Sequence, residues 1–359
     1  MKYLVFSDLH LTNSNPKFYL NKQGVSHLLV AQSNFVQWLC KKVRTEDYDG
    51  LLFLGDWTDA ATLDPIVQTY SNDLIKCIAA TDKFSLLIEG NHCVLDKGNV
   101  FTVLGAADKL VHGDNVNVVL NQRMVRHGGV DFHCFPYISD YDELERQIAE
   151  TNERIADSSQ YNVMLFHFPT KNAMLDNGMP SPSGVNLGQE ITSNFDLCLG
   201  GDFHRAQEVH EDAHYVGAPF DLKFGEHYKR SATELVITED GYELNTLDNP
   251  VQYNIRKMDV DDFLSTDWTD EAMSQTVMKV TGEATADQRI EVEGYKEHFY
   301  RLTAPLSRES SSDKEVRVDV IEENGQKDVD LIRAQMVGAK VGSKVQKRAV
   351  EIFEEVNRD

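Results

Sequence analysis

At 359 residues, with 41% hydrophobic and 26% charged content, the chain is long enough for one large core plus an appendage, and it is neither disordered nor fibrous in composition. No stretch approaches the ~20 apolar residues of a membrane-spanning helix, so a helical membrane protein is excluded. A formal charge of −23 argues against a chain that grips nucleic acid by itself, because such proteins present a basic face; positive charge for phosphates must come from metals, a local patch or a partner.

The opening run MKYLVF ends before Asp8 and His10. It is too short for the about 7–15 apolar residues of a signal-peptide core and reads as a first strand. Further strands are predicted at 50–54, 84–88, 116–120, 130–136, 162–166, 195–199, 214–216 and 234–237. Helical patterns fall between the early strands. One covers 26–43, and another carries Ile66, Tyr70, Leu74 and Ile78 at steps of four on one apolar face. This alternation predicts an α/β (α+β) fold, a sandwich of sheets with helices outside, over residues 1–250.

From 251 to 306 the pattern changes to strand (YNIRKMDV), short helix (261–264), strand (276–281), helix (286–297) and strand (299–302), read as a small αβ capping domain. SRESSSDKE opens a polar, apolar-poor linker over 307–328. Residues 329–359 read as two amphipathic helices parted by Gly338 and Gly342. The second has Val341, Val345, Ala349 and Phe353 on one face, and Lys340, Lys344, Lys347 and Arg348 make it basic. Such a pair either packs on its own domain or docks onto another chain. GAKVGSK is not a phosphate-binding loop, since that motif needs four residues between its glycines and a Lys directly after the second.

The five cysteines, Cys40, Cys77, Cys93, Cys134 and Cys198, are odd in number and form no CxxC pair. They predict no disulfide framework and no zinc knuckle, and a reducing, cytoplasmic setting. Cys134 and Cys198 lie in apolar strands, as small buried hydrophobes.

Six clusters follow apolar runs: SDLH (7–10), GDWTD (55–59), EGNH (89–92), FHF around His167, GGDFH (200–204) and YVGAP (215–219). All fall at the C-terminal ends of predicted strands, where open α/β sheets place their sites. Asp8 and His10, two apart, can turn to one ion. Asp56 follows a glycine, and its two oxygens make it the natural bridging carboxylate. Asn91 offers a hard neutral oxygen, and His92, unable to reach the same ion easily, is free for acid chemistry. His167 closes a strand, and Asp202 with His204 repeats the first spacing. Each cluster alone is weak; together, and in this order, they point to a two-metal centre. The donor set suits hard to borderline octahedral ions such as Mn²⁺, with Mg²⁺, Fe²⁺ or Zn²⁺ as alternatives. No Ser or Cys nucleophile is paired to a base.

These motifs resemble the calcineurin-like metallophosphoesterases, and within them the SbcD-type DNA double-strand-break repair nucleases. FDLCLGGDFHRAQ (195–207) resembles the strand, turn and following segment of that group, and YVGAPFDLKFGE (215–226) resembles its "YxGSPxxxxFGE" stretch. The resemblance implies a four-layer β-sandwich with an αβ cap and a terminal helix pair. It implies one metal held by Asp8, His10, Asp56 and His204, and a second held by Asp56, Asn91, His167 and Asp202. His92 protonates the leaving 3′ oxygen. The implied activity is Mn²⁺-dependent 3′→5′ exonuclease on duplex DNA and endonuclease on single strands. The implied assembly is a homodimer within a heterotetramer, docked through the helix pair onto an SbcC-type coiled-coil ATPase.

Two positions depart from that pattern. Asp202 stands where the family usually has His. It lowers the centre's formal charge from about +2 to about +1 for two divalent ions, which predicts a second site harder toward Mn²⁺ or Mg²⁺ and a less acidic bridging water. Cys93 stands where Asp often follows the Asn-His pair. Lys171, Arg205, Lys223, Lys229 and Arg230 either hold DNA phosphates or form a solvated surface. The rival readings are a phosphatase or cyclic-nucleotide phosphodiesterase of the same fold, and a non-catalytic scaffold.

Overall fold

Strands that are apolar at every position must be covered on both faces. Apart from Lys2 and Ser85, β1 (Lys2–Phe6), β2 (Gly50–Leu54) and β3 (Phe84–Ile88) are of this kind, joined through α1 (His27–Thr45) and α2 (Pro65–Ala79). The computed structural model describes residues 1–13, 24–95, 102–109, 114–171, 173–175, 178–222, 224, 229–251, 253–299 and 301–308. The helix pair expected at 329–359, its linker from 309 onward and Lys223 lie outside the described residues.

The chain continues through α3 (Val103–Asp108), β4 (Val116–Val119), β5 (Arg123–His127), β6 (Val130–Phe135), α4 (Tyr141–Arg154), β7 (Tyr161–His167), α5 (Gln189–Thr192), β8 (Leu197–Gly201), β9 (Gln207–His210) and β10 (Ala213–Tyr215). A hairpin of β11 (Ser231–Thr238) and β12 (Gly241–Asp248) then returns to β1. Two six-stranded sheets result, ordered β12-β11-β1-β2-β3-β4 and β5-β6-β7-β8-β10-β9.

The period of two along each strand sorts the core into layers. Tyr3, Val5, Leu52 and Leu54 meet Phe132, Val163, Leu165 and Leu199 of the second sheet. Leu4, Phe6, Leu51 and Phe53 turn instead toward Leu28, Phe35, Val36 and Leu39 of α1 and Leu74 and Ile78 of α2. On the far side Met164 and Phe166 pack with Leu144 and Ile148 of α4. The order is helix, sheet, sheet, helix, and each buried Phe or Leu contributes about 1.5–3 kcal/mol. Ser26 caps α1 by accepting from the Leu29 N–H, and Asp64 caps α2 ahead of Pro65.

β13 (Asn254–Asp259), α6 (Val260–Ser265), α7 (Asp270–Ser274), β14 (Thr276–Thr281), β15 (Glu283–Ala284), α8 (Ala286–Gly294), β16 (Arg301–Thr303) and β17 (Ser307–Arg308) complete the described chain. β13, β14 and β16 form a parallel three-stranded sheet. Phe263, Met278, Val280 and Phe299 give it a core of its own.

Several elements carry no clear apolar pattern. In α4 only Leu144, Ile148, Thr151 and Asn152 are buried, and Arg146 binds Glu143 and Glu150 on the exposed face. Its apolar stripe is thus too narrow to stand out. β5 and β12 are edge strands, partly exposed along their length, so burial imposes no alternation on them. Among the described residues no helix is long and apolar enough to cross a membrane.

Gly201 shows how closely β8 approaches the other sheet. A Cβ there would collide with Ser7 Oγ and the Leu54 carbonyl, and the latter is backbone that cannot swing aside. Gly201→Ala is expected to cost about 2–3 kcal/mol in urea unfolding. Gly294→Ala, at the end of α8 with nothing within 4 Å of the added atom, is expected to stabilise by up to about 1 kcal/mol. Equal effects of the two would show that the close approach at β8 is not real.

Candidate metal centre

The loops after β1 and β2 are locked together by backbone hydrogen bonds. Asp8 N–H donates to the Gly55 carbonyl (3.0 Å), His10 N–H to Asp56 (2.9 Å) and Leu11 N–H to Trp57 (3.0 Å). This pairing drives Asp8, His10 and Asp56 to φ values of 50°, 46° and 59°, and Asp202 stands at 101°. Asp and His tolerate the left-handed region better than most residues. Asp202 lies beyond it, at a cost of about 1–3 kcal/mol. Strain concentrated on side chains that all point into one space belongs to a site.

His167 is fully buried at the end of β7. Its Nδ1–H donates to the Leu54 carbonyl at 2.6 Å, which turns Nε2 inward. There it meets Asn91 Oδ1 at 3.1 Å, Asp56 Oδ2 at 3.4 Å and Asp202 Oδ1 at 4.0 Å. His10 Nε2 lies 3.4 Å from Asp56 Oδ2, 3.9 Å from Asp8 Oδ1 and 3.3 Å from His204 Nε2. Two imidazole nitrogens this close share either one proton or one cation. Ligand atoms of Asp8, His10 and His204 lie within 4.8 Å of one another, as do those of Asp8, Asp56 and His167. The fold therefore brings Asp8, His10, Asp56, Asn91, His167, Asp202 and His204 together, with Asp56 facing both groups. These oxygens and imidazole nitrogens fit divalent cations.

His92 stands at the rim of this set, with 42% of its side chain exposed. Its backbone N–H donates to Asp56 Oδ1 at 2.9 Å, and its ring stands edge-on to His10 with centroids 4.6 Å apart. Nδ1–H donates to the Asp59 carbonyl at 3.1 Å, leaving Nε2 to exchange a proton. Asp59 Oδ1 also lies 3.5 Å from His10 Nδ1 and 3.8 Å from His92 Nδ1. Its carboxylate thus faces a ring of the buried cluster and the ring at its rim.

Charge in this space is unbalanced. For Asp56, burial alone raises the carboxyl, but His167, His10 and His92 prevail and hold it well below the usual carboxylate range. Burial pushes Asp202 up to about 6, with Asp8 and Asp56 adding to it against His167 and His204. For His167, burial lowers the imidazole, yet Asp56, Asp8 and Asp202 lift it to about 10. A proton on His167 Nε2 stands where a cation belongs.

Residues outside the ligand set complete the setting. Gln32 of α1 donates its amide to the carbonyls of Leu9 (2.5 Å) and His10 (3.0 Å). Cys93 is wholly buried, and its Sγ accepts from the Thr58 N–H at 3.3 Å; a small thiol thus ties the Asn91–His92 turn to the β2 loop. Tyr137 follows β6, its phenol raised by burial and by Asp202 and Asp56. The YVGAP segment buttresses the last cluster. Tyr215 hydroxyl donates to the Phe168 carbonyl at 2.8 Å, Ala218 N–H donates to His204 at 3.0 Å, and Gly217 packs directly on the His204–Ala206 backbone.

The cationic candidates divide. Arg230 Nε binds Asp221 at 2.6 Å and Nη1 reaches the His204 carbonyl at 3.2 Å, so its charge is compensated and it shapes the His204 turn. Lys229 pairs with Asp248 at 2.7 Å on the surface. Lys171 and Arg205 are exposed.

Metal ligation requires an unprotonated His167 Nε2, whereas the metal-free ring keeps its proton up to about pH 10. Mn²⁺ binding at pH 7 is therefore expected to release about one proton, with affinity tightening up to about tenfold per pH unit toward pH 10. Calorimetry in buffers of different ionisation enthalpy measures this, and a binding heat independent of buffer contradicts it. Asp202→His removes a carboxylate. It is expected to move metal preference toward Zn²⁺ and the pH optimum of hydrolysis downward, and an unchanged metal series and optimum would count against the charge assignment.

Comparison with known proteins gives a consistent result. The calcineurin-like phosphoesterase profile matches residues 1–206. Similar solved structures include a dimetal phosphatase from Danio rerio, at 9% identity and a TM-score of 0.42, covering 69% of this chain and 99% of that one. Another is the protein TT1561 of Thermus thermophilus, at 13% identity and a TM-score of 0.40, covering 68% and 98%. No curated protein matches the chain. With the profile spanning the strands and loops that carry the cluster, the chain belongs to the calcineurin-like phosphoesterase family.

Proposed function

We propose that this phosphoesterase is a metal-dependent DNA nuclease of the SbcD type, cleaving phosphodiester bonds at a two-metal centre that takes Mn²⁺. The observation that carries a hydrolytic role is the placing of His92: a half-exposed imidazole, oriented by Asp59, at the edge of a cluster of seven ligand side chains, four of them buried. The narrower reading rests on the YVGAPFDLKFGE stretch, whose first half buttresses the His204 turn.

Asp8, His10, Asp56 and His204 hold one cation in this scheme, and Asp56, Asn91, His167 and Asp202 the other. When bound, two divalent ions neutralise phosphate charge and make water a nucleophile near neutral pH. A neutral His167 turns its Nε2 lone pair on the cluster, because the Leu54 carbonyl holds its other nitrogen. His92 delivers a proton from Nε2 to the departing sugar oxygen while Asp59 fixes its ring. The proposed assembly is a homodimer with an SbcC-type coiled-coil ATPase, docked through residues 329–359, which supplies the DNA grip that a chain of charge −23 does not provide.

A second reading has an observation in its favour. Lys229 and Arg230 are already paired with Asp248 and Asp221, which weakens the case for a DNA track and favours a small phosphodiester or phosphomonoester. The two readings differ in what end-labelled duplex DNA does with Mn²⁺. The nuclease reading expects shortening from the 3′ ends, reduced about 10²–10⁴-fold in His92→Ala with Mn²⁺ binding retained, and loss of ATPase-stimulated cleavage on truncation near Pro305. Intact DNA alongside brisk hydrolysis of a nitrophenyl phosphodiester would establish the small-substrate reading instead.

A further inference from the structure

A recess of about 350 Å³ opens between the edge of the second sheet and the end of α4. Arg123 and Met124 of β5, Asp131 and His133 of β6, and Arg154 and Ile155 at the close of α4 line it. None of the metal-cluster residues does. Its volume is that of a small organic ligand.

The charges in this recess do not cancel. Arg126 holds Asp131 through both carboxylate oxygens, at 2.5 and 2.7 Å, so the one lining carboxylate is already neutralised. Arg154 donates Nη2 to Thr151 Oγ1 at 2.7 Å and Nε to the Glu150 carbonyl at 3.2 Å, while the Glu150 side chain is taken by Arg146. The exposed Arg123 makes no hydrogen bond or ion pair among the described residues. Two guanidiniums therefore stand without a carboxylate in a chain of charge −23. The last carbonyls of α4 oppose an anion, and the Arg154 bond to Glu150 offsets them. Paired guanidinium forks suit a phosphate, which each can meet with two donors.

The rest of the lining is of another kind. Met124 lies opposite His133 in the β5–β6 register, so the two share one face of the sheet. Met124 is 47% exposed, and with Ile155 it sets apolar surface beside the arginines. His133 is buried, and its Nε2–H donates to Asn162 Oδ1 at 3.1 Å, the Asn162 amide nitrogen being committed to the Gln160 carbonyl. The lone pair of the neutral ring is then on Nδ1, and burial favours that neutral form. Such a nitrogen accepts from a hydroxyl.

We propose that this recess binds a nucleoside monophosphate, with Arg123 and Arg154 on the phosphate, Met124 and Ile155 against the base, and His133 Nδ1 accepting from a sugar hydroxyl. A dianion matches two unpaired guanidiniums, whereas a monocarboxylate matches one. A closed-ended recess of this volume fits a mononucleotide and not a duplex. The binding depends neither on the metal centre nor on the phosphoester cleaved there.

The test is calorimetric titration of the full chain in EDTA, which keeps divalent ions off the metal centre, with thymidine monophosphate, inorganic phosphate and thymidine as separate probes. Thymidine monophosphate is expected to bind at least about tenfold more tightly than either fragment, since it alone engages both walls. Arg123→Gln is expected to weaken it about tenfold or more, as loss of a charge-assisted bond does. Met124→Ala is expected to weaken it about threefold or more while leaving phosphate unaffected. Because Arg123 touches nothing among the described residues, Arg123→Gln should melt with the ligand-free wild type and lose only the rise that nucleotide gives. Wild-type affinity in Arg123→Gln, or no saturable binding at millimolar nucleotide, would overturn the site. Equal affinities for phosphate and nucleotide would overturn the nucleoside half. Duplex DNA that binds through Arg123 more tightly than the mononucleotide would overturn the choice of a small ligand.

Discussion

The carbonyl oxygen of Leu54 accepts from Ser7 Oγ at 3.0 Å and from His167 Nδ1 at 2.6 Å. Through that one acceptor the ends of β1, β2 and β7 are joined, and the two sheets with them. The hydrogen bond does two things at once. It satisfies a buried carbonyl at the end of β2, where leaving it unpaired costs about 1–3 kcal/mol. It also fixes the tautomer of His167, so that the nitrogen facing Asn91, Asp56 and Asp202 carries the lone pair whenever the ring is neutral. Gly55 and Gly201 are small because His167 and Leu54 occupy the space their Cβ atoms would need.

From this junction the chemistry follows by elimination. Asp8, Asp56 and Asp202 bring three carboxylates into one buried space, and Asn91 adds a fourth oxygen. Backbone N–H groups reach two of them, from Asp202 to Asp8 and from His92 to Asp56, and these carry only partial charge. Anions that close in a low dielectric repel strongly unless cations lie between them. Protons on the imidazoles can serve, as the raised His167 shows, but divalent ions serve better, because each can be shared by several oxygens. The site is thus unstable as an apolar pocket and stable as a cation cradle, which is why its strained φ values persist.

Much of this was legible in the residues. Every ligand sits at a strand end behind an apolar run, and glycine or a second ligand two positions away marks where the backbone turns. Several strands were equally plain: 50–54, 84–88 and 276–281 coincide with the strands found, because strands buried along most of their length are predominantly apolar. What lacked a signal was whatever acts through the backbone or at an edge. Gln32 is an ordinary polar residue of a helix until its amide is seen on Leu9 and His10. Arg230 reads as a phosphate-binding cation until Asp221 and the His204 carbonyl are found around it.

The acidity of the chain bears on how a phosphate-bearing substrate approaches. Exposed charges separated by more than about 8 Å are largely screened at physiological ionic strength, so a charge of −23 spread over the surface matters less than what lies within a few ångströms of the cleft. There, Asp59 is half-exposed beside His92, and Arg230 is held by Asp221. Beyond the exposed Lys171 and Arg205, attraction comes from the centre itself, and with Asp202 in place of an imidazole that centre carries about one positive charge less when two divalent ions are present. Such a site binds a phosphate weakly at a distance and firmly only in contact. A polyanion therefore needs a second holding surface, whereas a small phosphoester does not. On the nuclease reading, a second holding surface is thus a condition of activity and no accessory to it.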